Sequence, residues 1–128
     1  MLRDAAVQPM LPVKDLNAAT KFYEETLGLA KVGGLPGTAV TYRSGNTTLV
    51  VYRSEFAGTN KGTAALWEVD DVEGTAKELK SKGVTFERYD LPGLTREGDV
   101  YRAGDMKVAW FKDPAGNILS IQNGPRRS

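Results

Sequence analysis

One short pattern occurs twice in this 128-residue chain, and the repeat limits the folds open to it. The first copy opens with Leu11-Pro12-Val13-Lys14-Asp15-Leu16, passes through Phe22-Tyr23 and turns at Gly28. The second opens with Trp67-Glu68-Val69-Asp70-Asp71-Val72 and turns at Gly83. Val13 and Val69 stand 56 positions apart, as do Asp15 and Asp71, and Gly28 and Gly83 one fewer. A constant offset carrying the same order of elements marks a duplicated unit.

The elements follow from local chemistry. The apolar run 7–13 contains Pro9 and Pro12; proline cannot donate to a ladder, so this strand belongs at a sheet edge or ends early. Asp15 is the expected N-cap of a helix whose Leu16, Ala19, Phe22, Tyr23 and Leu27 recur at spacings of three and four, with Gly28 as its C-terminal stop. A short strand is expected near 29–32, followed by a turn rich in Gly33, Gly34, Pro36 and Gly37. Runs 38–43 and 47–52 are β-branched and aromatic and flank Ser44-Gly45-Asn46, a hairpin signal. The first module is therefore β-α-β-β-β over about 7–53, and a polar linker over about 54–63 follows.

The second module, about 64–123, repeats the order. A strand at 64–69 leads to Asp70-Asp71, where Asp70 with Glu73 resembles a capping box. Val72, Ala76 and Leu79 form the helical stripe, and Gly83 ends it. A short strand at 84–88 is followed by a long irregular loop, 90–104, of the kind that often carries function. Strands at 106–111 and 117–122 close the module around the turn Asp113-Pro114-Ala115-Gly116. The fold class is α+β, and residues 1–128 form a single domain of two tandem βαβββ modules.

Composition narrows the function. Apolar content of 41% and charged content of 26% are those of an ordinary globular domain of this length. A net charge of +1 gives no basis for binding nucleic acid or an anionic membrane, and Arg126-Arg127 reads as a solvated end. No run approaches the ~20 apolar residues of a membrane span, and Met1-Leu2-Arg3-Asp4 carries no signal-peptide pattern, so a cytoplasmic location is expected. The absence of cysteine removes disulfides, thiolate catalysis and thiolate-bound zinc. Histidine is also absent, which weighs little until positions are assigned. No paired carboxylate, catalytic dyad or phosphate loop is visible, and neither Gly33-Gly34 nor Gly104 matches a nucleotide-binding fingerprint.

These motifs resemble the vicinal oxygen chelate superfamily, which includes glyoxalase I, extradiol dioxygenases, and fosfomycin- and bleomycin-resistance proteins. The resemblance rests on the Pro-Val-x-Asp-Leu opening at 12–16, Phe22-Tyr23 with Leu27-Gly28-Leu29, Val69-Asp70-Asp71-Val72, and above all Phe111-Lys112-Asp113-Pro114-Ala115-Gly116-Asn117. It covers roughly 7–123 and implies curved, U-shaped mixed sheets around a cavity, in a homodimer. It also implies four metal-ligand positions, which fall at Gln8, Val50, Ala64 and Ser120. The family's divalent ions want imidazole or carboxylate there, so neither metal nor other cofactor is expected, and a metal-dependent glyoxalase or dioxygenase mechanism is not.

Strand alternation places further side chains on the faces of those four positions: Met10 beside Gln8, Thr48 and Tyr52 beside Val50, Leu66 and Glu68 beside Ala64, Ile118 and Gln122 beside Ser120. The resemblance adds Val108 and Trp110 facing inward, with Phe111 toward the helices. Trp110 and Tyr52 offer stacking surfaces, while Gln8, Ser120 and Gln122 offer orienting hydrogen bonds. Tyr101-Arg102, in the long loop, is expected to act as a lid with a cationic contact. The reading is a metal-independent protein, resembling bleomycin-resistance proteins, that sequesters an aromatic or amphipathic small molecule such as an antibiotic. The alternative is a metal-free isomerase, lyase or cyclase on the same scaffold. That enzyme needs a base of raised pKa in a dry pocket, with Glu68 as candidate.

Overall fold

The computed structural model describes residues 1–123, so Arg126-Arg127 lies outside the described residues. The chain forms two compact units: the first comprises Met1–Lys61 with Asp113–Asn117, the second Gly62–Lys112 with the chain from Ile118.

In the first unit, β1 (Met10–Val13), α1 (Leu16–Thr20), β2 (Ala30–Leu35), β3 (Ala39–Ser44) and β4 (Thr47–Arg53) follow in order. The sheet runs β1-β4-β3-β2, with β1 parallel to β4 and the other pairs antiparallel. β1 is an edge strand, the position that Pro12 within it favours. Alternation along these strands buries Leu11, Val13, Val40, Tyr42, Leu49 and Val51 on one face, and α1 lies against β4. Asp15 caps α1, its carboxylate accepting from the main-chain N–H of Asn17 at 2.9 Å and of Ala18 at 3.2 Å.

The expected regular helix over 16–27 is not what forms. From Lys21 to Thr26 the chain widens into a π-helical turn, and the Leu27 N–H donates to the Phe22 carbonyl five residues back, at 3.0 Å. Such turns have poorer geometry and persist where another interaction offsets it. Here Tyr23 is wholly buried, and its hydroxyl donates to Asp113 Oδ2 at 2.8 Å.

Asp113 itself is only 5% exposed. Its Oδ1 accepts from the N–H groups of Ala115 (2.9 Å) and Asn117 (2.8 Å), and its Oδ2 from Tyr23 and from Asn117 Nδ2 (2.8 Å). Asn117 Nδ2 donates also to the Pro12 carbonyl at 2.7 Å, which ties the turn to β1. The Tyr23 ring stacks on that of Tyr42, whose hydroxyl donates to Glu24 at 2.8 Å.

The second unit holds β5 (Thr63–Glu68), α2 (Val72–Ser81), β6 (Phe86–Glu87), β7 (Thr95–Glu97), β8 (Val100–Ala103), β9 (Met106–Lys112) and β10 (Ile118–Gln122). Its sheet repeats the first: β5 runs parallel to β10, β10 antiparallel to β9, and β6 antiparallel to β9, as β1, β4, β3 and β2 do. Neither sheet closes into a barrel, and among the described residues no helix is long and apolar enough to cross a membrane.

Two expectations for this unit need correction. The segment 90–104 is not irregular: it contains the β7–β8 hairpin, and β8 pairs along β9. β6 pairs over only two residues, so the remaining edge of β9 is open to β8. The cap of α2 is Asp71, accepting from the Gly74 N–H at 2.9 Å, rather than Asp70. Glu73 forms no box with Asp70; it pairs with Lys107. The two stops behave as read, Gly28 at φ +75° and Gly83 at φ +96°, a region that glycine enters without a Cβ clash.

Removing the Asn117 side chain strands the Pro12 carbonyl and takes a donor from a buried carboxylate. Asn117→Ala is expected to lower unfolding stability by roughly 2–3 kcal/mol, read as a fall in the urea midpoint at unchanged slope. Burial first, then the Asp113 charge, pushes the Tyr23 phenol far above its ordinary value. A folded value above the unfolded one leaves this stability intact below about pH 10 and removes it as pH rises further. Wild type should therefore lose stability steeply above pH 10, and Tyr23→Phe, weaker at neutral pH, should lose less over that range.

Candidate functional site

Strand register puts most of the candidate residues on one face of each sheet, the face opposite the one that buries Leu49 and Val51 in the first unit and Leu119 and Phe111 in the second. In the first sheet, Met10, Val50 and Thr41 stand side by side, with Pro12, Tyr52 and Ala39 in the next row. Met10 is 57% exposed, Val50 and Tyr52 are half-buried, and Gln8 lies exposed just ahead of β1. In the second sheet the corresponding row is Leu66, Ser120, Trp110 and Glu87, and the next is Glu68, Gln122, Val108 and Tyr101. Met10 facing Val50 and Leu66 facing Ser120 occupy the same station of the repeat.

The second face carries an aromatic cluster. Trp110 is half-buried. Tyr89 approaches it edge-on with ring centroids 5.6 Å apart, and Tyr101 does so at 5.3 Å, geometries that suit aromatic quadrupoles. The indole Nε1 donates to Thr63 Oγ1 at 3.1 Å. Leu66, 51% exposed, and the buried Ser120 complete the row. Phe111, one residue on from Trp110, points the other way and packs edge-on against Phe86 among buried residues.

Tyr101 and Arg102 do not form a loop tip. They lie on β8, with Tyr101 2% exposed. The Tyr101 hydroxyl donates to the Tyr89 carbonyl at 2.8 Å and accepts from the Tyr89 N–H. Arg102, opposite Lys107, faces the other side of the sheet and pairs with Glu97 at 3.2 Å. It borders a polar cleft of about 810 Å³ that Asp70, Asp71, Glu73, Asp105 and Lys107 also line. Gln122, at the end of β10, also reaches this cleft. Glu68 is exposed on the edge strand β5. Tyr89 is the member of the cluster that sequence reasoning missed: it follows a two-residue strand and belongs to no periodic pattern.

The positions at which a resident metal is implied hold an exposed amide (Gln8), methyl groups (Val50, Ala64) and a buried hydroxyl (Ser120). Among the described residues no group of three or more histidine, cysteine, aspartate or glutamate side chains is placed to hold a metal ion. A divalent first-row ion needs imidazole, thiolate or carboxylate donors, and this donor set does not fit one.

Residues 5–121 match the family model described as the Glyoxalase/Bleomycin resistance protein/Dioxygenase superfamily. Among solved structures, the bleomycin-binding protein of bleomycin-producing Streptomyces verticillus, complexed with copper(II)-bleomycin, is 26% identical, with a TM-score of 0.71 over 98% of this chain and 100% of that one. A lactoylglutathione lyase from Agrobacterium tumefaciens is 21% identical, with a TM-score of 0.72 over 97% and 96%. A fosfomycin resistance protein from Mesorhizobium loti is 12% identical, with a TM-score of 0.68 over 98% and 95%. The last two likenesses speak for the fold alone.

The Tyr101 hydroxyl satisfies both main-chain groups of Tyr89. Tyr101→Phe is expected to cost about 1–3 kcal/mol, and near-ultraviolet circular dichroism should record a loosened environment for Trp110. An unchanged spectrum and melting temperature would show that the cluster does not depend on this contact.

Proposed function

The chain belongs to the glyoxalase/bleomycin resistance protein/dioxygenase superfamily, and from that premise we propose that it is a metal-independent binding protein that sequesters a planar aromatic or amphipathic small molecule such as an antibiotic. The observation that carries this reading is the half-buried Trp110, braced edge-on by Tyr89 and Tyr101, in the same row of the sheet as the exposed Leu66. Small-molecule sites are mostly apolar and aromatic, with a few polar groups that fix orientation. An indole with bracing rings is a rigid stacking surface whose ordering costs little entropy. The superfamily includes proteins that bind such compounds, and the Streptomyces verticillus relative is a bleomycin-binding protein.

The enzymatic alternative rests on Glu68, and nothing around that residue favours it. A general base works from a dry pocket within reach of the proton it takes, and Glu68 sits exposed on an edge strand. The exposed apolar side chains Val32 and Leu35 of β2 fit assembly as a homodimer, in which a second copy would cover them.

A screen of glycopeptide, quinone and other aromatic antibiotics by thermal shift and intrinsic fluorescence tests the proposal. A true ligand at about 100 times its Kd should stabilise the fold by about 2.7 kcal/mol. It should quench fluorescence in wild type, and Trp110→Ala should weaken binding about tenfold or more. Glu68→Gln should bind as wild type does. No stabilisation by any compound, or full affinity in Trp110→Ala, would sink the reading.

A further inference from the structure

The first unit holds a cleft that takes no part in the candidate site. It has a volume of about 680 Å³ and is lined by Lys14, Gly37, Thr38, Arg53, Ser54 and Glu55. Main-chain bonds bring these residues to one end of the sheet. β1 and β4 run parallel with Val13 opposite Arg53, so Lys14 and Ser54 leave their strands side by side. The Ser54 N–H donates to the Val13 carbonyl and the Arg53 N–H to the Thr38 carbonyl, both at 2.9 Å. The Thr38 N–H closes the Pro36-Gly37 turn by donating to the Leu35 carbonyl at 2.9 Å, with Gly37 at φ +74°. Three chain segments tied to one another thus form the walls.

The charge of this cleft is unbalanced: two cations and one carboxylate line it. Among the described residues neither Lys14 nor Arg53 forms an ion pair, with Glu55 or with any other carboxylate. Asp15, next to Lys14, turns its carboxylate to the N–H groups of Asn17 and Ala18. The Ser54 hydroxyl accepts from the Phe56 N–H at 3.1 Å and keeps its own proton to give. The repeat supplies a contrast. Counted from Met10 with Leu66 and from Val50 with Ser120, Lys14 corresponds to Asp70 and Arg53 to Asn123. Those two residues line the polar cleft of the second unit. Each module therefore carries a cleft at the same station, and the charge is reversed between them. In the second, four carboxylates stand against two cations, and both cations, Lys107 and Arg102, are already paired, with Glu73 and Glu97.

We propose that the cleft between Lys14 and Arg53 binds the phosphate group of a small phosphorylated molecule. Two like charges lining one cleft repel, and an anion between them removes that cost. The Arg53 guanidinium offers a planar fork to two oxygens, the Lys14 ammonium a point charge, and the Ser54 and Thr38 hydroxyls further donors. Donors spread over three chain segments suit a tetrahedral group with three free oxygens better than a flat carboxylate. Both cations are exposed, so their attraction is screened, and a Kd on the order of 1 mM at low salt follows.

A heteronuclear NMR titration of the protein with methyl phosphate at low salt tests this. The amides of Lys14, Thr38, Arg53 and Ser54 should shift together and saturate, while those of Asp70 and Asn123, at the reversed station, should stay still. Acetate should bind at least about fivefold more weakly. Lys14→Gln and Arg53→Gln should each weaken methyl phosphate by about fivefold, the worth of one exposed charged contact, and the double variant should show no saturation. Both side chains are exposed, so the melting temperature without ligand should hold in all three variants. Lys77→Gln, which removes an exposed cation from α2, should bind as wild type does. No saturable shift at the four amides, equal shifts across the rest of the chain, or saturation that survives in the double variant overturns the site. Acetate binding as tightly as methyl phosphate overturns the assignment to phosphate.

Discussion

The buried carboxylate of Asp113 sets the terms for the rest of the structure. A charge taken out of water is tolerated only when it is fully hydrogen-bonded, and this one accepts from two main-chain N–H groups, an amide and a phenol. Each donor imposes something on the sequence. The main-chain donors require the tight turn through Ala115, Gly116 and Asn117. The amide must be Asn117, because the same nitrogen also reaches the Pro12 carbonyl. The phenol is Tyr23, delivered by a helix that has given up regular geometry in its second half. Because the turn closes with Lys112 opposite Ile118, the pairing of β9 with β10 is counted outward from it. Trp110 and Ser120 meet in the same row for that reason.

That dependence explains which parts of the fold were legible in the chain. The Asp-Pro-x-Gly-Asn turn is dense in residues with one structural use each, so it carries its own register. The resemblance implies that Trp110 and Phe111 take opposite faces, and in the strand register Trp110 lies beside Ser120 and Leu66 while Phe111 packs against Phe86. The same count fails where pairing is not local. Residues 95–103, Thr-Arg-Glu-Gly-Asp-Val-Tyr-Arg-Ala, are too polar to announce a hairpin, and they are ordered by the free edge of β9. Tyr101 and Arg102 therefore read as a loop, although strand geometry turns the first into the aromatic cluster and the second to the opposite face. The π-helical turn is likewise invisible to spacing, since Tyr23 meets a partner ninety residues away.

The stations of the repeat also show what stands where the resemblance implies metal ligands. Val50 and Ser120 are equivalent, and so are Gln8 and Ala64, which precede Met10 and Leu66 by two residues. A metal centre needs several strong donors converging on one point, and these stations offer methyl groups, one amide and one hydroxyl. The faces that carry them have instead kept apolar and aromatic surface in contact with water. Apolar surface left in water in this way is unfavourable in isolation.

The two copies of the repeat differ most at the edge strand that pairs with the third strand of each module. In the first unit β2 runs for six residues, all exposed, and includes Gly33 and Gly34. It fills the edge of β3, and the station opposite Val50 is a threonine, Thr41. In the second unit β6 stops after two residues. The chain leaves the sheet at Tyr89 and returns as β8, which sets Tyr101 over Val108 and against Trp110, at the station where the first unit has Thr41. Shortening one strand thus frees both an edge and a side chain: the edge recruits Tyr101, and Tyr101 in turn fastens the main chain of Tyr89 beside the indole. The aromatic cluster of the second sheet is therefore built where the two copies of the repeat stop being alike.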